Sequence, residues 1–125
     1  MIDHKKQMRP IISSIELMEN TSKEETFQNS ILRPIIKLQH DLIISYFEYY
    51  LRQNKVEISE LNGTEKSVVI QRFFNNDNRF KVEIRGLITG LLTHEEFEEY
   101  LSLSANLNRR INNMLQQRVQ SCYNV

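Results

Sequence analysis

A chain of 125 residues, 40% hydrophobic and 26% charged, has the size and balance of one globular domain with one core; three Gly and two Pro are too few for a disordered or turn-rich all-β chain. Sixteen basic residues balance sixteen acidic ones, so no global field draws in nucleic acid or an anionic membrane, and neither is expected as a partner. The single Cys122 excludes an internal disulfide, fits a reducing compartment and reads as a helix-end residue.

The first residues carry charge near Met1, but Ser13, Ser14 and Glu16 interrupt the apolar run, so no signal peptide is expected. No apolar stretch approaches the about 20 residues that span a bilayer, and cytoplasmic residence is the default expectation. Residues 1–22 read as an N-terminal arm with Pro10 near its middle. The alternative is a short helix over 11–19, where Ile12, Ile15 and Met18/Glu19 give a partial stripe.

Ser22 followed by Glu25 fits a capping box and starts a helix over about 23–54. Phe27, Ile31, Ile35, Leu38, Leu42 and Tyr46 form one stripe on it, and Leu32, Ile36, Ile43, Phe47 and Leu51 a second, the mark of a helix packed on two sides. Pro34 removes a backbone donor and crowds the Ser30 carbonyl, which predicts a kink near Ser30 to Arg33 or, in the competing outcome, a break. Asn62-Gly63 signals a turn, and Thr64 then caps a helix over 64–75 with Val69, Ile70, Phe73 and Phe74 on one face.

Asn75, Asn76, Asp77 and Asn78 form a turn, because their side chains bond locally to the backbone. Phe80, Ile84, Leu87, Ile88 and Leu91 then fit a helix over 78–91, against which the alternation of residues 80–85 offers a strand. Gly86 and Gly90, four apart on this helix, suggest a face where another backbone packs closely. Thr93 with Glu96 repeats the capping box and opens a last helix over 94–121. Its inner face is Phe97, Tyr100, Leu101, Leu107, Ile111, Met114, Leu115 and Val119, and Arg109, Arg110 and Arg118 fall in its later half. The expected architecture is all-α: a single-domain bundle of four main helices over 23–125, with the arm before it.

Chemistry-bearing clusters are sparse. His94 and Glu98 at i, i+4 read as a solvated pair at a helix start, and no Glu-x-x-His pair supports a di-iron site, so neither metal nor cofactor is expected. No nucleophile elbow, phosphate-cradling Gly loop or Cys–His motif is present, and no catalytic residue is assigned. Asp41 lies between Leu38 and Leu42 on the broadly apolar helix. Its first reading is a place on the polar side of that helix alongside Lys37, Ser45 and Glu48; the competing one has Asp41 and His40 meet Arg85 or Arg109 in an internal network, near the aromatic belt of Tyr46, Phe47, Tyr49 and Tyr50. The candidate ligand-binding set is therefore His40, Asp41, Tyr46, Tyr50, Arg85 and Arg109.

The runs FQNSILRPIIKLQHDLI, FKVEIRGLITGLLTHEEFEEYL and SANLNRRINNML resemble a family of short, all-helical bacterial proteins often labelled glyoxalase; the likeness spans roughly residues 24–120. It implies a helical domain more than an enzyme. Glyoxalases of the βαβββ type place His and Glu ligands on strands, a set this chain does not offer, so no catalytic residue is carried across. The function expected is a cytoplasmic, non-enzymatic interaction module that self-associates or binds a protein partner. The alternative is a small-molecule binder or enzyme with an interhelical pocket near His40, Asp41 and the tyrosines.

Overall fold

A computed structural model describes residues 4–10 and 22–125. The possible helix over 11–19 lies outside the described residues. Among those described, the chain is all-helical with no strand, and the segment that alternates at 80–85 is helix.

The long first helix is not continuous. It comprises α2 (Lys23–Phe27), a π-helical turn (Gln28–Leu32), α3 (Arg33–Leu38) and α4 (His40–Gln53), preceded in the chain by the single turn α1 (His4–Gln7). Ser22 caps α2 by accepting from the Glu25 amide at 3.1 Å. The π turn sits directly before Pro34, with the Arg33 amide reaching back five residues to the Gln28 carbonyl. Widening the helix there relieves the clash between the proline ring and the Ser30 carbonyl.

The wider turn changes which stripe is buried. Buried positions run Phe27, Leu32, Ile36, Ile43, Phe47, Leu51, with Pro34 and Ile35 buried beside Ile36, and the five-residue first step is the π turn. One extra residue rotates everything downstream by about 100°. The whole second sequence stripe is therefore in the core, whereas the first contributes Phe27 and Ile35 and then turns outward at Leu38 and Leu42. A second interruption falls at Gln39, whose backbone leaves the helical region and whose side-chain amide donates to the Leu87 carbonyl at 3.0 Å.

After a short 3₁₀ turn (Ile58–Glu60), α5 spans Gly63–Asn76. Its cap is Asn62, not Thr64: the Asn62 side chain accepts from the Glu65 amide while the Glu65 carboxylate accepts from the Asn62 amide, a full capping box. Asn is the stronger N-cap, and Glu65 stands three residues on from it. Asp77 caps α6 (Asn78–Thr89) by accepting from the Phe80 amide. The expected last helix is broken at Leu103 into α7 (His94–Ser102) and α8 (Ser104–Cys122). The Ser102 hydroxyl bonds back to the Glu99 carbonyl, a local competitor that bends helices. Because the break offsets α7 from α8, Phe97 and Leu101 are exposed and do not continue the inner stripe of Leu107, Ile111, Leu115 and Val119.

Four unbroken helices therefore do not describe the architecture, and the centre is α8 rather than the long first segment. It packs on α4, α5, α6, α7 and the π turn, and its buried Leu107, Ile111 and Leu115 each contribute about 2 kcal/mol of burial free energy. Gly86 and Gly90 take no part in this packing. Both are exposed, a Cβ on Gly86 meets no described atom within 4 Å, and Gly90 ends α6, where a Cβ would approach the Gly86 carbonyl to 3.0 Å.

Candidate functional site

The groove between α3, the start of α4 and the second half of α8 has a volume of about 690 Å³. Helical periodicity builds both walls. Arg33, Lys37 and His40 recur at i, i+4, i+7 on one side, and Met114, Gln117, Arg118 and Ser121 at i, i+3, i+4, i+7 on the other. Ile36 and Met114 provide its apolar part, and Cys122 stands exposed at its end.

One contact crosses the groove: Arg118 Nη1 lies 3.1 Å from His40 Nδ1. A guanidinium only donates, so Nδ1 is the acceptor and the imidazole carries its hydrogen on Nε2. His40 thus offers the groove a donor. Among the described residues no carboxylate lines the groove, and Arg33, Lys37 and Arg118 form no ion pair with one. In a chain of zero net charge this is a local surplus of cations.

A second groove continues along α8 and shares Gln28, Met114 and Gln117. It holds Arg109 and Arg110, but Glu24 and Glu25 line it too, and Arg110 donates to Gln28 Oε1 at 2.8 Å. Its charge is balanced where that of the first is not.

The six residues picked from sequence are scattered over this surface. His40 lines the cationic groove, whereas Arg109 belongs to the neighbouring one. Asp41 is exposed and makes no hydrogen bond to His40, Arg85 or Arg109, because one residue along a helix turns it about 100° away from His40. Arg85 is half-buried on α6 and lines neither groove. Asp41 thus lies on the exposed polar side of its helix with Lys37, Ser45 and Glu48, and the competing internal network is absent among the described residues.

Tyr46 and Tyr50 are committed elsewhere. The Tyr46 hydroxyl bonds to Glu83 and the Tyr50 hydroxyl to Asp77 at 2.6 Å. Burial, and then the hydrogen bond to Glu83, push the Tyr46 phenol well above its ordinary value. The bond to Asp77, helped by burial, pushes that of Tyr50 up to about 12. The same bonds, with the Phe80 amide on Asp77 and Arg79 on Glu83, hold both carboxyls below their usual range. Both tyrosines therefore work as neutral donors tying α4 to α6.

Sequence reasoning missed Arg33, Lys37 and Arg118 as a set. The signal was available on one wall, as basic groups at i, i+4, i+7 through His40. Nothing local places Arg118 opposite them. Also missed was Arg9, which leaves the N-terminal segment to form a two-bonded pair with Glu96 at 2.8 and 2.7 Å, both side chains 8% exposed. Arg9 also donates to the Leu91 carbonyl, and Lys5 to that of Leu92, covering the turn between α6 and α7.

His94 pairs with Glu98 at 3.3 Å on the surface, and the described residues hold no group of three or more His, Cys, Asp or Glu arranged to take a metal. No described helix is long and apolar enough to cross a membrane. Comparison with protein-family models, curated proteins and solved structures finds no match to this chain.

Proposed function

We propose that this chain is a non-catalytic helical binding module that holds an anionic group in the groove between α3–α4 and α8. The observation that carries the reading is the trio Arg33, Lys37 and Arg118, facing one groove with no carboxylate among its described lining residues. A half-buried guanidinium whose one hydrogen-bond partner among the described residues is an imidazole is incompletely compensated, and an anion completes it. Titration with sulfate and with citrate, followed by amide chemical shifts, should perturb the walls of α3, α4 and α8. Arg118→Ala should weaken the affinity about tenfold, and added salt should weaken it further. Shifts that are absent, or equal in the wild type and Arg118→Ala, would sink the reading.

A second reading, self-association, is favoured by Leu38, Leu42 and Tyr49, which are 38%, 51% and 48% exposed and repeat with Ser45 at coiled-coil spacing along α3–α4. Open Gly86 stands three residues beyond Glu83, the α6 partner of Tyr46, and is free to admit a close neighbour on the same side. It ranks second because exposed Asp41 and Glu48 flank the seam, so pairing two copies of α4 brings like charges together. Sedimentation velocity should show a dimer that Leu42→Glu converts to a monomer. A wild-type protein that stays monomeric at high micromolar concentration removes this reading.

A further inference from the structure

Building on that anion-binding reading, we infer that the groove takes the phosphate of a small phosphate monoester whose carbon body is apolar rather than a sugar. The polar atoms on offer are overwhelmingly donors. Arg33 and Arg118 bring guanidinium forks, Lys37 an ammonium and His40 its Nε2–H. Gln28 adds to the bias: its Oε1 is occupied by Arg110, which leaves its NH₂ as the group still available.

A partner for this set must be rich in acceptors. A phosphate monoester carries about −1.5 to −2 charges at neutral pH and three strong acceptor oxygens, whereas a monocarboxylate brings one charge and two oxygens. Three cations with no carboxylate partner among the described residues match the first. Guanidinium forks also suit two oxygens of one phosphate, with Lys37 acting as a point charge beside them.

The body of the ligand is constrained by what remains. Beyond the cations the groove offers the apolar sides of Ile36 and Met114, with the Gln117 amide and the Ser121 hydroxyl as side-chain acceptors. A sugar would leave several hydroxyl donors without acceptors, and unmet donors are expensive once water is displaced. A flat or aliphatic body instead covers Met114, whose flexible thioether adapts to shape. The volume of about 690 Å³ suits a ligand of that size.

The test compares phenyl phosphate, inorganic phosphate, glucose 6-phosphate and benzoate by calorimetry on the full chain. A second readout is the rate at which N-ethylmaleimide, a neutral reagent, labels Cys122 at the edge of the groove. Phenyl phosphate should bind about tenfold tighter than each of the other three and slow the labelling. Arg118→Ala should lose about tenfold of that affinity. Lys37→Met, at an exposed position where folding is not at stake, should lose a factor of about three to ten.

Equal affinity for phenyl phosphate, inorganic phosphate and glucose 6-phosphate overturns the apolar body while leaving a general anion site. Benzoate binding as tightly as phenyl phosphate overturns the dianion argument. Phosphate on a lipid is the other source of this chemistry, so retention on phosphatidate vesicles that phenyl phosphate does not displace overturns the small-ligand assignment. If no anion saturates or protects Cys122, the anion-binding reading beneath it falls as well.

Discussion

Replacing Phe80 with Ala should lower the unfolding free energy by about 4 kcal/mol, the largest loss expected from any one side chain in this fold. The Phe80 ring is fully buried and touches five others. Its centroid lies 4.9 Å from Phe74 in an edge-to-face contact, 5.0 Å from Tyr50, 5.6 Å from Phe73, 5.7 Å from the stacked Tyr46 and 6.3 Å from Phe47. These rings come from α4, α5 and α6, so the cavity left by truncation opens where three helices meet. Ring pairs of this kind add about 0.5–1.5 kcal/mol beyond area burial, which puts the expected loss toward the upper part of the range for aromatic deletions.

Neighbouring polar contacts depend on the same ring. Asp77 accepts from the Phe80 amide with one oxygen and from Tyr50 with the other. A shift of Phe80 therefore loosens both the start of α6 and the tie between α6 and α4. Urea melts should show a lower midpoint at unchanged slope, and the melting temperature should fall by about 12–16 °C. Phe80→Leu keeps most of the volume and should lose about 1.5 kcal/mol or less. A Phe80→Ala loss below about 1 kcal/mol would show that these rings do not pack as described.

The aromatic cluster shows what was legible in the sequence. Phe73, Phe74, Phe80, Ile84 and Ile88 were readable as core because each sits on an uninterrupted helix whose period holds from cap to cap. The cap at Thr93 was readable for a similar reason, since both halves of its capping box lie within four residues. Legibility failed where the period was broken. The π turn before Pro34 and the breaks at Gln39 and Leu103 each reset the phase of the apolar pattern, so stripes extrapolated across them assigned Leu38, Leu42, Phe97 and Leu101 to the core. Pro34 announced a kink but not its form. The direction in which a helix relieves a proline clash decides which face turns inward, and packing partners far along the chain set that direction.

The candidate groove was half legible for a related reason. His40 drew attention through its neighbour Asp41, yet adjacent residues on a helix diverge, and the side chains that meet His40 are those one turn away and those on α8. Lys37 at i−3 was within reach of the sequence. Arg118, 78 residues away, was not. Contacts of that separation follow from the fold and leave no local mark.

Arg9 and Glu96 are the extreme case, 87 residues apart and almost closed to solvent, and they carry the second large prediction. Arg9→Ala should destabilise the protein by about 3 kcal/mol at neutral pH, because it leaves a buried carboxylate with the Thr93 amide as its remaining hydrogen-bond partner. The effect should vanish in acid, and the sign follows from Glu96. Burial alone pushes its carboxyl up, but the Arg9 hydrogen bonds, the Thr93 amide and the charges of Arg9 and Lys6 outweigh it and hold the group below its usual 4.5. A folded value below the unfolded one means stability that is full above about pH 4.5 and is lost as pH falls through the folded value. Without Arg9 burial prevails and the carboxyl is pushed up, so the variant has no such stability left to lose. Thermal melts of the two proteins should therefore converge between neutral pH and about pH 3. A gap that stays constant with pH would mean that Arg9 acts through packing or the Leu91 carbonyl alone. Arg9→Met combined with Glu96→Met separates the pair from its burial: the apolar double variant should recover most of the loss, falling short by the about 1 kcal/mol of the capping box that Glu96 completes with Thr93. A double variant as unstable as the two single losses added together would show instead that the pair itself, and not the avoidance of a lone buried charge, fastens the N-terminal segment to the turn between α6 and α7.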